Sequence, residues 1–570
     1  MFRYRICKYV YELFLRNEIF ILFVLSFLFI NLKAQDIEKL KDQPLLIMHG
    51  GLNTGYSFSK SGSSLAQMNS SMGSISGTID FTILGTVNIP FSFYLGSQNK
   101  SFSQPSFRQF GLSPRYRWIT LHLGYRNINF SNYSLNGLSF FGAASEISFP
   151  GNFVKLSLMA GRFRKQVASA VASAVDLPGY ERRGYGGKIE IGSHTNNAGI
   201  ILFKSNDVYS GPVYRDSSLL HPAENLVLSI NTAQSIKDFI FVSAEYTLSF
   251  VTNDARLNKD ETMFPVKIPD CFIKTNLSSH TASVLSLNME ARLGGITAGM
   301  SYLHIDPEFS SFGCTYINSG LVNYLFHANF SAWKNRISLA SQLGLEESNQ
   351  GRLSATSSRR IIGSAALNIS ITKNLQASLQ YSNFSITNKP TYLRVSDSIV
   401  CMQTSENKSL NFNFSKPLYS ISLNTNFQEG KSLNYTGTTR VNSITRIGSL
   451  TLMYNLNLVK LKQRISSAFN YNSINMGNSE SRTIGPSINL SQNFLAEKLN
   501  LGLGYSYLLQ ITAEQKYPLH CCRMNLGFRT GKLGALYGSA CLNYRYARTK
   551  ENVSPGSTDA RLQLNYSISF

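Results

Sequence analysis

Arg561-Leu562-Gln563-Leu564-Asn565-Tyr566-Ser567-Ile568-Ser569-Phe570 closes the chain. Leu562, Leu564, Tyr566, Ile568 and Phe570 are apolar, and every residue between them is polar. Period two is the period of a β-strand with one greasy and one wet face. The alternation runs to a terminal aromatic, and Tyr566, Ile568 and Phe570 resemble the C-terminal assembly signal of bacterial outer-membrane barrels. The same alternation recurs upstream. Leu499, Leu501, Leu503, Tyr505, Tyr507, Leu509 and Ile511 share one face, opposite Asn500, Gly502, Gly504, Ser506 and Gln510. Leu450, Leu452, Tyr454, Leu456 and Leu458 oppose Thr451, Met453, Asn455 and Asn457, and Tyr419, Ile421, Leu423 and Phe427 oppose Ser420, Ser422, Asn424 and Asn426. A soluble sandwich hides such faces between two sheets. A membrane barrel turns them to lipid and keeps Asn, Ser, Thr and Gly inside.

Composition and the N-terminus choose between these. The 570 residues are 43% hydrophobic but only 15% charged, with 37 Phe and 29 Tyr. Ordinary soluble domains carry about 25% charge. Mean hydropathy is −0.08. Low charge with many aromatics excludes a disordered tail and a coiled coil. Beyond the N-terminus no apolar run approaches the ~18 residues of a membrane helix. Arg3, Arg5, Lys8 and Arg16 precede the apolar run Ile19 to Ile30, and Ala34 follows. That is the layout of a secretory signal peptide over residues 1–34. Its removal takes five bases and two acids, so the mature chain is basic by 19 rather than 22.

These readings predict an all-β protein: a transmembrane, outer-membrane antiparallel β-barrel over residues 46–570, entered through a short periplasmic segment at 35–45. Reading back from Phe570, tight connections alternate with long ones. The long ones include 428–444, 474–482 and 512–518, as an outer-membrane barrel with short periplasmic turns and longer outer loops requires. The rule breaks before residue 114, where 60–73 and 98–113 are both long, so one of them is expected to be irregular or folded inward. About 22 strands follow Arg115 and two to four precede it. An even number closes the sheet, and 24 strands is the expectation, within 22 to 26.

Several stretches resemble a family of large outer-membrane barrels of Bacteroidota. They are Ile89-Pro90-Phe91-Ser92-Phe93, Gly111-Leu112-Ser113-Pro114-Arg115-Tyr116-Arg117-Trp118, Ala160-Gly161-Arg162-Phe163-Arg164-Lys165 and Ile305-Asp306-Pro307-Glu308-Phe309. The resemblance covers most of the mature chain. It implies compartment and barrel, and no activity, cofactor or functional residue. TonB-dependent receptors carry a plug domain before the barrel. Residues 35–45 are far short of a domain of about 50 residues, so that class is disfavoured unless a separate plug protein supplies it.

Signals for chemistry are sparse. His304 and Asp306, two apart, share a strand face, but a metal needs more ligands than two. Gly430-Lys431-Ser432 resembles the end of a phosphate loop without its first Gly or its strand–loop–helix setting. No metal, cofactor or catalytic set is expected, so the chain does not read as an enzyme. Cys271, Cys314 and Cys401 fall in expected outer loops, and Cys521, Cys522 and Cys541 on neighbouring strands. A hairpin about Gly531 brings Cys541 opposite Cys521 or diagonal to Cys522, which makes a 521/522–541 disulfide a candidate, as is Cys271–Cys314. Arg115, Arg117, Arg162, Arg164, Lys165, Arg182 and Arg183 form a candidate basic cluster at the lumen or mouth. The plainer reading has such bases, with Arg359 and Arg360, meeting lipid phosphate and lipopolysaccharide. Val167, Val171 and Val175 repeat every four residues on an Ala-rich segment and suggest a short helix that narrows the lumen.

A barrel this wide leaks if left open, so something must occlude it. The expected function is a gated or constricted channel for a bulky solute or polymer. The alternative is a non-conducting barrel that docks surface lipoproteins or a secretion complex. Lipid, lipopolysaccharide and the barrel-assembly machinery are the expected partners. Nucleic acid is not one, since no compact basic fold is present.

Overall fold

The computed structural model describes residues 44–62, 70–96, 108–166, 179–193, 195–208, 221–260, 269, 272–348, 356–390, 400–436, 439–477, 479–513, 515–531, 534–546 and 556–570. The strands are β1 (Leu46–Ser61), β2 (Ser70–Ile83), β3 (Val87–Gly96), β4 (Arg108–Leu112 continued by Arg115–Tyr116), β5 (Ile119–Asn127), β6 (Ser139–Ser148), β7 (Val154–Arg164), β8 (Glu181–Gly192) and β9 (Asn197–Val208). They continue as β10 (Glu224–Ile236), β11 (Ile240–Thr252), β12 (Ser279–Leu293), β13 (Ile296–Ile305), β14 (Leu321–Ala332), β15 (Ile337–Ser348), β16 (Thr356–Ser370), β17 (Leu375–Pro390) and β18 (Val400–Ser415). The last are β19 (Tyr419–Thr436), β20 (Thr439–Leu458), β21 (Gln463–Met476), β22 (Ser479–Phe494), β23 (Leu499–Thr512), β24 (Lys516–Arg529), β25 (Ala535–Arg545) and β26 (Ser557–Ser569).

Each strand pairs antiparallel with the next, and β1 pairs with β26 from Gly51↔Ser569 to Ser61↔Asp559. The seam ends on Phe570, which exchanges both backbone hydrogen bonds with Gly50 at 2.8 and 3.0 Å. The sheet is therefore a closed barrel of 26 strands, and closure leaves no edge to pair with another chain.

The count corrects the expected 24. Four strands lie before Arg117, the upper end of the two to four expected, because Leu84 and Gly85 make a tight turn at φ 50° and 63° inside an apolar stretch. Two central residues at positive φ suit a hairpin's twist. Apart from Thr86 nothing polar flags the turn; residues 63–69 and 97–107, where an irregular or inward-folded connection is expected, lie outside the described residues. The long loops expected at 428–444, 474–482 and 512–518 are also corrected. The first is paired strand to its tip, since β19 and β20 run 18 and 20 residues and join at 437–438. The other two shrink to the connections 477–478 and 513–515.

A span takes about 9–11 tilted residues, so β19 and β20 rise well past it on the rim away from Phe570. There the outward face changes from Ile421, Leu423 and Phe427 to Glu429 and Lys431 without breaking register. Arg446 sits opposite Glu429 and donates to it at 2.9 Å, while Lys431 Nζ lies 2.6 Å from the same carboxylate.

The two faces are what the alternation requires. Leu450, Leu452 and Tyr454 are 37–46% exposed on the outside. Their neighbours Thr451 and Asn455 hydrogen-bond Asn470 and Ser420 across adjacent strands on the inside. Near one rim Tyr505, Tyr507, His520, Tyr544 and Tyr546 pack ring against ring on the outer face. At the other, Trp118 stacks on Phe149 at 5.5 Å and Trp333 stands 75% exposed. Two aromatic girdles bounding an apolar band are the signature of a membrane barrel.

Candidate functional site: an inward lobe and the wall behind it

Two loops fold into the barrel instead of standing clear of it. Residues 128–138 join β5 to β6, and residues 306–320 join β13 to β14. Both are rich in apolar side chains, which a loop in water would leave unpaid for. The wall beneath them sets glycines under the aromatic rings. A Cβ on Gly184 would stand 2.6 Å from the Phe163 ring, and one on Gly186 would stand 3.1 Å from Phe130, so glycine is what lets these rings lie flat on the strands. Phe130 and Leu135 from the first loop pack with Phe140, Ile201, Phe203 and Val227 of the wall into a dry core. Tyr133 reaches further, packing on a second core of Ala282, Val284, Ile305, Phe309 and Leu321. A loop rooted between β5 and β6 thus touches β12 and β13, a path that crosses the interior. Burial there pushes the Tyr133 phenol above its ordinary value.

The loops clasp each other. Gly313-Cys314 forms a parallel pair with Leu135-Asn136, and Ser311 Oγ donates to the Ser134 carbonyl at 2.5 Å. Polar side chains of the wall hold the second loop. Asn225 is fully buried; its Nδ2 donates to Ser249 Oγ (2.8 Å) and the Ser310 carbonyl (3.3 Å), and its Oδ1 accepts from Phe312 N (3.0 Å). The Arg182 guanidinium lies 3.7 Å from the centre of the Phe312 ring and is fixed by a two-pronged pair with Asp207 at 2.8 and 2.9 Å. Bidentate geometry and a desolvated cation–π contact are both strong for their kind. Asp306, at the root of this loop, accepts from Ser283 N (2.7 Å) and Oγ (2.6 Å), and His304 Nε2 is 3.5 Å away. The pair anchors a turn. Among the described residues no three metal-ligating side chains come together.

The described ends of a third connection, residues 253–260 and 272–278, are tied together at Asp254. Its carboxylate takes Arg256 Nε at 2.9 Å and lies 3.1 Å from His221 Nδ1. Chiefly through its hydrogen bonds from Arg256, this carboxyl titrates below the ordinary aspartate range. Since the folded value is lowered, the stabilisation is complete above the unfolded value of about 3.9. It is lost as pH falls through the lowered one. Pepsin digestion across acid pH is expected to open this loop only at the lowest values, and Asp254→Asn should open it earlier. Identical profiles would disprove the clamp.

The basic cluster read from sequence is not one cluster. Arg115 and Arg117 lie by the β4–β5 turn, on the rim carrying Phe570. A bulge between Arg182 and Arg183 splits the remainder. It turns Arg164 inward to join Arg182 on Asp207 (3.4 Å), while Arg162 and Arg183 face out and share Glu181 at 3.8 and 2.6 Å. Lys165 is exposed. Arg359 and Arg360 pair with Glu347 and Glu346 at 3.3 and 3.2 Å. Gly430, Lys431 and Ser432 lie within strand β19. Val167, Val171, Val175 and Cys271, the signal peptide and most of 35–45 lie outside the described residues, as does the Cys401 side chain.

Cys541 sits opposite Arg523, so its diagonal neighbour on the inner face is Cys521, not Cys522, with the two sulfurs 3.6 Å apart as free thiols. Cys522 faces outward. Cys314, inside the lobe, has its thiol pushed up to about 11 by burial. A rise from 9.0 to about 11 lowers the thiolate fraction at neutral pH roughly 100-fold. Maleimide is expected to modify Cys314 about that much more slowly in the folded protein than after unfolding; equal rates would refute its burial in the lobe.

A closed antiparallel cylinder with an apolar belt, a polar lumen and loops packed inside it is a transmembrane barrel of the outer-membrane type. No family model matches the chain, and no curated protein does. Among solved structures it is similar to the translocation pore of the P pilus usher PapC of E. coli, at 11% identity and a TM-score of 0.39, over 92% of this chain and 100% of that one. It is also similar to the siderophore receptor PirA from Pseudomonas aeruginosa (10% identity, TM-score 0.39, 91% of this chain and 80% of that one). A third is OccAB3 of Acinetobacter baumannii (10% identity, TM-score 0.28, 92% and 99%).

Proposed function

We propose that the protein is a constricted channel of the outer membrane of a Gram-negative bacterium, within the Bacteroidota family its sequence resembles, passing a bulky polar solute or polymer. The observation that carries this reading is the lobe: two loops clasped inside the lumen and packed on a dry wall. Twenty-six strands spaced about 4.8 Å apart and tilted about 40° enclose a cylinder on the order of 50 Å across between backbones. Such a bore needs an obstruction, and the lobe supplies one rooted on β5–β14. The barrel-assembly machinery would insert the chain through the Phe570 strand, and lipopolysaccharide would meet the charged outer flange. That flange, where β19 and β20 outrun the membrane, favours the second reading, a platform for surface lipoproteins or a secretion complex.

Purified protein in planar bilayers decides between them. The channel predicts stepwise ionic currents; silence together with a stoichiometric partner in mild detergent would replace it with the platform.

A further inference from the structure

The wall not rooted in the lobe has its own chemistry. On β17–β23 the outward positions are set by the exposed Leu379, Phe412, Ile421, Leu452, Phe469 and Ile488. The alternate positions therefore face the lumen. Across these seven strands Arg464, beside the rim carrying Phe570, is the one charged side chain among the inward positions described. The charges these strands do carry, such as Glu406, Lys408, Glu429, Lys431, Arg446 and Arg482, all fall on the outward parity. Elsewhere the lumen is not neutral: Arg126, Glu146, Lys188, Glu190, Glu245 and Glu290 all face inward on β5–β12. Neutrality therefore belongs to this wall and is not general to the barrel.

In place of charge the wall carries amides and hydroxyls in rows. Gln380, Ser409, Asn426, Ser449, Asn472, Thr483 and Gln510 stand side by side across the seven strands, each directly opposite the next. A second row below contains Asn411, Asn424, Thr451 and Asn470. Within the grid some groups satisfy each other, as where Asn411 Nδ2 donates to Ser378 Oγ at 3.2 Å and Thr451 Oγ1 to Asn470 at 3.3 Å. Asn424, Asn426 and Asn472 are exposed to the lumen and make no side-chain hydrogen bond to the protein among the described residues.

From this we infer that the β17–β23 wall is a binding track for an uncharged, polyhydroxylated chain, that is, a neutral oligosaccharide. The inference deepens the channel reading and rests on it for the passage of that chain, though not for its binding. Each primary amide offers two donors and an acceptor with two lone pairs. A hydroxyl-rich chain can exchange its water for such groups at every step, each bond being weak in net terms, so that the chain is held along the wall without being trapped. A charged polymer gains nothing here that water does not give it. A polypeptide brings ionic side chains for which this wall has no complement.

The test uses full-length protein in detergent and fluorescently labelled maltohexaose, with binding read by fluorescence polarisation, and the same protein in bilayers, with current block read at matched concentrations. Saturable binding that weakens roughly ten-fold or more in Asn424→Ala/Asn426→Ala/Asn472→Ala is expected. The variant's native mobility on unheated gels should be unchanged. Absence of binding while currents flow overturns the track and leaves the channel. Binding without current keeps the track and removes the channel. Absence of both removes both. Equal or tighter binding of an uncharged Gly-Ser peptide, or of a polyanionic saccharide, overturns the assignment to a neutral oligosaccharide, as does an unweakened triple variant.

Discussion

Replacing residues 308–318 by a short Gly-Ser turn is expected to raise single-channel conductance roughly two-fold or more and to admit polyethylene glycols that the intact barrel excludes. The excision takes away Phe309, which sits in the second dry core, and Phe312, which covers the Arg182 guanidinium. It also takes away Ser311 and Cys314, through which the lobe is stitched to the loop at 128–138. That loop would lose its only parallel partner among the described residues, and Tyr133 would lose the Phe309 side of its seat. Both halves of the obstruction should therefore give way together. The wall should survive, because β13 and β14 remain paired over their whole length from Ile296↔Phe330 to Ile305↔Leu321. Heat-modifiable gel mobility checks that the barrel still closes. An intact barrel with unchanged conductance and unchanged size cut-off would mean that the lobe does not set the bore.

The barrel was legible in the sequence because lipid and water impose period two. The pairs of faces at 499–511, 450–458 and 419–427 can be read residue by residue, and the structure places them as read. Legibility ended where one face stopped being apolar for reasons other than a loop. Beyond Phe427 the outward positions meet water and headgroups instead of lipid, so Glu429 and Lys431 look like the start of a connection although the ladder continues. At Leu84-Gly85 the reverse happens, and an apolar residue at positive φ hides a turn. The bulge after Arg182 is worse placed still, since a single extra residue reassigns Arg162 and Arg164 to opposite faces and no composition reveals it. The lobe did leave a signal: Ile128, Phe130, Tyr133 and Leu135 in one connection and Phe309, Phe312 and Ile317 in another are too apolar for solvent. What could not be read was that two loops rooted so far apart in the chain bury those side chains against each other.

Phe203→Ala is expected to cost about 3–5 kcal/mol, the range for deleting a buried aromatic from a close-packed core. Phe203 lies on β9 with no exposed surface, its ring edge-on to Phe163 at 5.8 Å. On its other side it stands against the backbone of the inward loop: a Cβ on Gly313 would come 2.9 Å from the Phe203 ring and 2.3 Å from the Ser134 carbonyl. The ring is thus the post between wall and lobe. Its loss leaves a hole that cannot collapse, because the strands beneath are fixed by their ladders and Gly313 is fixed by its pairing with Leu135. Guanidinium unfolding in lipid vesicles measures the cost. Ile200→Ala, the neighbour on the lipid face at 63% exposure, serves as the comparison and should change stability far less, since lipid fills the space a lost side chain leaves. Phe203→Leu should recover most of the loss by keeping volume. The channel should report the same event, with Phe203→Ala currents becoming noisier as the loosened lobe samples positions off the wall. A cost under about 1 kcal/mol would place Phe203 against solvent instead of a packed lobe, and the inward fold of residues 306–320 would then have to be abandoned.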